Sequence, residues 1–222
     1  METKELKGNG KIAVARTEIY VPHLNESLAF SWPMEGPNHF KDVMCAIDLD
    51  KRLRPTTSKT FSLIDLALQN LDEKHCKDII SKFRNNYFWT STENLWTPGE
   101  VIVYDNIDGK MPSDRESLIK RCKDGDKAIR IVPYGFKTEK QSIDEFLKNP
   151  YVIAQIGEKD MLDVVKRVAE GINKPYIWVL NKPQRDMRRY FALDSGGEDF
   201  GLRMIGDHGG RSNHGYASGV HK

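Results

Sequence analysis

From residue 101 to residue 180 the chain alternates short apolar runs with capped, helix-periodic segments, and this alternation most narrows the folds open to it. "EVIVYD", "AIRIVPY", "YVIAQIG" and "PYIWVL" read as four strands. Between the first two, Ser113-x-x-Glu116 has the form of a capping box ahead of Leu118, Ile119 and Cys122. Between the next two, Ser142-x-x-Glu145 repeats the device ahead of Phe146 and Leu147. The third connection carries Met161, Leu162, Val165, Val168, Ala169 and Ile172 at helical spacing, with Gly171 and Pro175 marking its end. Strands joined by crossovers of a dozen or more residues usually pair in parallel beneath their helices. The expectation is therefore an α/β fold with a mostly parallel central sheet and flanking helices.

The flanks add to this plan. Residues 1–57 are irregular or β, with "KIAVARTEIYVP" as a strand or two and "SWPMEGPNHF" as a loop. Ser58 caps a helix bearing Phe61, Ile64, Leu68 and Leu71, and a second helix follows with Cys76, Ile79, Ile80 and Phe83 on one face. The short "LDEK" joint makes them an N-terminal helical hairpin. "NYFWTST" reads as a buried strand. "RRYFALDSGGEDFGLRMIG" reads as an antiparallel hairpin around Ser195-Gly196-Gly197-Glu198, at the sheet edge or in a small annex. The plan is one domain over 1–222: an irregular part to residue 57, an α/β body over 58–180 and a C-terminal β extension over 181–222.

Apolar residues make up 39% of the chain and charged residues 30%, a globular composition. Net charge is only +2, and all of that excess lies in residues 182–222. Bulk electrostatics thus predict no polyanionic partner. "METKELKGNGK" lacks the apolar core of a signal peptide, and no apolar run approaches the roughly 18 residues that span a bilayer. Cys45, Cys76 and Cys122 show no paired spacing and read as reduced thiols, so the expected location is cytoplasmic, away from membranes.

Chemistry is sparse. The G-x-G-x-x-G, P-loop and G-x-S-x-G patterns are absent. "VMCAIDLD" is an apolar run ending in Asp48-x-Asp50. That opening resembles the haloacid-dehalogenase-like phosphatases. The resemblance implies a Mg²⁺-dependent phosphatase with Asp48 as nucleophile and Asp50 as acid/base. Thr90 or Ser91 would serve as its hydroxyl, Lys182 as its cation and Asp207 as its late metal ligand. Arg52 departs from the pattern, standing where that family has Thr or Val, and only fifteen residues follow Asp207.

The last stretch, "GDHGGRSNHGYASGVHK", holds three of the six histidines among five glycines. His208, His214 and His221 are spaced too widely for zinc, and no metal or other cofactor is expected outside the phosphatase reading. Glycine clusters let backbone N–H groups converge on an anion, and Arg211 lies in their midst. Upstream, "KPQRDMRRY" supplies Lys182, Arg185, Arg188 and Arg189, with Tyr190 as one aromatic beside them. Together these residues point to a non-enzymatic binding protein for an anionic ligand, either a phosphorylated or nucleotide small molecule or a nucleic acid. Tyr216, Ala217 and Val220 interrupt the polar residues of the tail, so it is expected to be ordered against the hairpin.

Overall fold

The computed structural model describes residues 3–13, 18–196 and 201–221. Its first four strands, β1 (Thr3–Glu5), β2 (Lys11–Ala13), β3 (Glu18–His23) and β4 (Glu26–Ser31), form an antiparallel sheet in sequential order. In β3 the residues Ile19, Val21 and His23 are buried while their neighbours stay half-exposed, the period of two that a one-sided strand requires. The chain continues through β5 (Glu35–Asn38), α1 (Phe40–Leu49), α2 (Thr57–Gln69), α3 (Lys74–Asn85), β6 (Tyr87–Trp96) and β7 (Glu100–Asp105). Then come α4 (Arg115–Lys123), β8 (Ile129–Pro133), β9 (Glu139–Lys140), α5 (Ile143–Lys148), α6 (Pro150–Ile156) and α7 (Leu162–Ile172). The last strands are β10 (Tyr176–Trp178), β11 (Met187–Asp194), β12 (Arg203–His208) and β13 (Gly215–Ala217).

A second, nine-stranded sheet is built around β6, which is buried on both faces from Phe88 to Trp96. One edge of β6 pairs with β11, followed outward by β12, β10 and β9. The other edge carries β13 along Tyr87 and Phe88, then β7 along Thr92–Trp96, with β8 outside β7. Among the described residues only β13 with β6 and β10 with β12 are parallel pairs.

The mostly parallel sheet expected from the sequence is therefore wrong. β7 and β8 run antiparallel, and the backbone N–H of Asp105 donates to the carbonyl of Ala128 where the chain returns. The reason lies in the connection. The loop after β7 turns back on itself where Gly109 N–H donates to the Asn106 carbonyl, and α4 returns the chain so that Ile129 pairs with Tyr104 at the end of β7 it left. The excursion so ends beside the strand it left. "YVIAQIG" is not a strand but helix α6: the Asn149 side chain accepts from Tyr151 N–H, and Pro150 sits in the first turn. A helix buried nearly all round has no amphipathic period to give it away. α4 starts one residue later than the Ser113 box suggests, with Asp114 as its cap, whereas the Ser142–Glu145 box forms as written.

β11 and β12 are not an edge hairpin either. They lie in the sheet interior, with Phe191, Ala192, Leu193 and Met204 buried. Gly197 and Glu198 of the expected turn lie outside the described residues. The tail packs in as β13, wedged between β5 and β6, and Val220 exchanges both backbone hydrogen bonds with Leu53. Gly215 permits this approach, because a Cβ there would fall 1.6 Å from the Trp89 indole nitrogen.

The nine-stranded sheet has two differently covered faces. α2, α3, α6, α7 and the small sheet close one face over Phe88, Trp96, Val101, Phe191 and Met204. On the other, α1 covers Trp89, Ala192 and Ile205, and α4 covers Leu95, Ile102 and Tyr104. Among the described residues no helix is long and apolar enough to cross a membrane.

Candidate functional site

A cleft of about 610 Å³ opens between the start of α1, β11 and the turn after β12, lined by His39, Lys41, Asp42, Arg188, Tyr190 and Gly209–Arg211. Its floor is aromatic. Phe40, the first residue of α1, stacks on Tyr190 with ring centroids 3.8 Å apart and meets Trp89 edge-on at 5.8 Å. The turn is pinned to this floor: Gly210 N–H donates to His208 Nδ1 at 2.9 Å, and the Gly210 carbonyl accepts from Phe40 N–H at 3.2 Å. Gly210 has φ +70°, and a Cβ there would stand 2.4 Å from the Tyr190 ring. Both the conformation and the space demand glycine. His208 packs against Tyr87 and Trp89, and burial pulls its imidazole down to about 4. It is a neutral structural acceptor.

Beneath the cleft lies Glu93, whose side chain is 0% exposed. Three donors satisfy it: Arg188 Nε at 2.5 Å, the Tyr104 hydroxyl at 3.0 Å and Asn106 Nδ2 at 2.9 Å. Burial opposes the Arg188 charge, but the hydrogen bond and charge of Glu93 outweigh it and hold the guanidinium more firmly protonated than usual. Burial, and then the Glu93 charge, push the Tyr104 phenol far above its ordinary range. The Arg188 guanidinium carbon lies 5.7 Å from the Tyr190 ring centre, and no protein hydrogen bond engages its Nη atoms among the described residues. The side chains of Lys41 and Arg211 likewise have no ion pair among the described residues, and Asp42 is the one carboxylate in the lining.

Of the five basic residues singled out from the sequence, Arg188 and Arg211 meet here. Arg189 does not line the cleft, because successive strand side chains project to opposite faces; its Nη1 donates to the Arg188 carbonyl at 2.8 Å. Lys182 sits over the Tyr134 ring at 5.6 Å, and Arg185 is exposed outside the lining. The glycine turn and Arg211 adjoin the basic stretch through Arg188 alone.

The phosphatase constellation is not assembled. Asp48 lies within α1, not after a strand, and is held by Arg54 through two hydrogen bonds of 3.0 and 2.6 Å. Asp50 caps α1 and pairs with Arg52 at 2.9 Å. Thr90 shares a hydrogen bond with Thr57, and Ser91 donates to the Arg54 carbonyl. Asp207 is half-buried; burial raises its carboxyl despite a hydrogen bond from Trp178. His221 faces Glu18 at 3.3 Å and His214 is exposed. No cluster of three or more His, Cys, Asp or Glu that could hold a metal ion occurs among the described residues. Glu93 escaped sequence reasoning, although a signal existed: one carboxylate inside the otherwise uncharged run "YFWTSTENLW".

No family model matches the chain, and no curated protein does. The fold is similar to a solved structure described as "Accommodation of massive sequence variation in Nanoarchaeota by the C-type lectin fold". The TM-score is 0.57 at 11% identity, over 85% of this chain and 96% of that chain. The fold is thus C-type lectin-like, not a parallel α/β sheet. At that identity the likeness speaks for fold alone.

Proposed function

We propose that this protein is a non-enzymatic binding protein whose cleft between α1, β11 and the Gly209–Arg211 turn takes the anionic group of a ligand. The observation that carries this is the convergence of Lys41, Arg188 and Arg211 on one lined cavity, against the single carboxylate of Asp42. Arg188 is anchored from below by Glu93, so its outer nitrogens are held in place before any ligand arrives. The structural neighbour's description, a C-type lectin fold accommodating massive sequence variation, is compatible with a scaffold whose surface side chains are free to serve recognition. A phosphorylated small molecule fits better than single-stranded nucleic acid. Base stacking needs an open ring face, and Tyr190 is covered by Phe40 and crowded by Gly210.

The test is calorimetric titration with inorganic tripolyphosphate and, separately, with oligo-dT. Saturable tripolyphosphate binding is expected, weakened about tenfold or more in Lys41→Ala/Arg211→Ala, since each lost charge-assisted hydrogen bond is worth about that factor. Absence of binding, or equal binding by the variant, refutes the assignment. Tight oligo-dT binding with no response to tripolyphosphate would turn it toward nucleic acid.

A further inference from the structure

A second cleft, of about 510 Å³, lies between the first turn of α2, the segment after β7, the start of β8 and the end of α6. Four cationic side chains line it, Lys59, Arg121, Lys127 and Arg130, against Asp105, Asp108 and Glu158. Several of these charges are already matched. Arg121 pairs with Asp126 at 2.7 Å, Arg130 with Asp105 at 2.5 Å, and Glu158 faces His23 Nε2 at 3.3 Å. Asp108 accepts from the Lys110 backbone N–H at 3.1 Å and lies 3.9 Å from its ammonium. The ammonium groups of Lys59 and Lys127 make no hydrogen bond or close ion pair among the described residues, although the Lys59 charge acts on Glu158.

Arg130 is the informative member. Its Nε donates to the Ala154 carbonyl at 2.7 Å, and its Nη1 to Asp105 and, at 3.2 Å, to the Ala128 carbonyl. Its Nη2 is buried and has no acceptor among the described residues. A Cβ at Gly157 would lie 3.0 Å from Nη1, so the glycine leaves the guanidinium its room. A buried donor on a charged group is costly to leave unmatched, and native proteins supply it with an acceptor. Tyr151 Oη, Gln155 Oε1 and Ser195 Oγ are likewise buried without a partner among the described residues, but none of these three residues lines this cleft.

We propose that this cleft binds a tetrahedral oxyanion, a phosphate or sulfate group, with Lys59 and Lys127 as its flanking cations and Arg130 turning Nη2 out of its buried position to donate to it. With Nε and Nη1 committed to protein acceptors, Nη2 offers one charge-assisted contact, and the ammonium groups close round the anion as point charges. The first turn of α2 faces the same space through Thr56, Ser58 and Lys59 and adds the positive end of its dipole. The local field agrees. The hydrogen bond from His23, then the charges of His23, Lys59 and Arg130, hold the Glu158 carboxyl below its usual range.

The experiment is an NMR titration of the full chain with inorganic phosphate at constant ionic strength, following the Arg130 side chain and the Ser58 and Lys59 amides. Saturable shifts are expected, with affinity about tenfold lower in Lys59→Gln/Lys127→Gln, the loss of one charge-assisted contact. Neither ammonium makes a hydrogen bond or close ion pair among the described residues, so that variant is expected to melt close to the wild type in phosphate-free buffer. Lys41→Ala/Arg211→Ala, which alters the other cleft, is expected to leave these shifts unchanged. Shifts that are absent or do not saturate, or that the lysine variant reproduces at equal affinity, overturn the proposal and leave water as the acceptor for Nη2.

Discussion

Replacing Arg188 by alanine isolates the structural half of its role. In the folded protein Glu93 is fully buried and, among the described residues, has Arg188 as its one cationic donor beside the Tyr104 hydroxyl and the Asn106 amide. Breaking a fully buried ion pair from one side costs about 3–5 kcal/mol, because the remaining charge is stranded. The Arg188 side chain is 37% exposed, so solvent already screens part of the interaction. Two neutral donors also remain. Discounting by about half leaves ~2 kcal/mol. For a chain of this size that corresponds to a fall of about 4–8 °C in melting temperature. The assay is thermal unfolding followed by calorimetry and circular dichroism, with coincidence of the two checking two-state behaviour. The companion variant is Glu93→Gln/Arg188→Ala. A neutral amide still accepts from Asn106 or Tyr104 but strands no charge, so the double variant is expected to regain about 1 kcal/mol over Arg188→Ala. If Arg188→Ala melts within about 1 °C of wild type, or the glutamine recovers nothing, then the pair does not stabilise the cleft floor.

Two other outcomes follow from buried titratable groups. His208 is held near 4 in the folded protein against 6.5 when free, so between these values the unfolded chain binds the extra proton. Its stabilising contribution is complete above about pH 6.5 and drains away as pH falls toward 4; after allowance for partial exposure, about 1 kcal/mol is expected to go between pH 7 and 5. Urea melts of wild type and His208→Gln check this, since the variant should lose that component of the pH dependence. The thiols should also separate: Cys45 is exposed, Cys122 half-buried, and Cys76 buried with its thiol pushed up to about 11, first by burial and then by Glu73 and Asp72. Ellman's reagent on the native protein should label Cys45 fast and Cys76 only on unfolding. Rapid labelling of Cys76 would refute its burial on the packed face of α3.

Much of the local structure was written in the chain. The apolar spacing of α3 predicted the buried set Cys76, Ile79, Ile80 and Phe83, and the Ser142–Glu145 box formed as read, because both depend on residues within one or two turns. The strand positions of β7, β8 and β10 were legible for the same reason. Their directions were not. Parallel and antiparallel partners bury the same side chains, and the choice falls to loop lengths and to hydrogen bonds between distant segments. α6, apolar on nearly every side, presented no period at all. The site divides in the same way. That residues 182–222 are basic could be counted from the sequence. Only the folded sheet decided that Arg188 would face Arg211 while Arg189 turned away, since alternation along β11 and its irregularity between Tyr190 and Ala192 set those directions. Glu93 shows the limit most plainly. Its donors lie 11, 13 and 95 residues away along the chain, and what makes a buried carboxylate tolerable is their meeting in space, which no local pattern records.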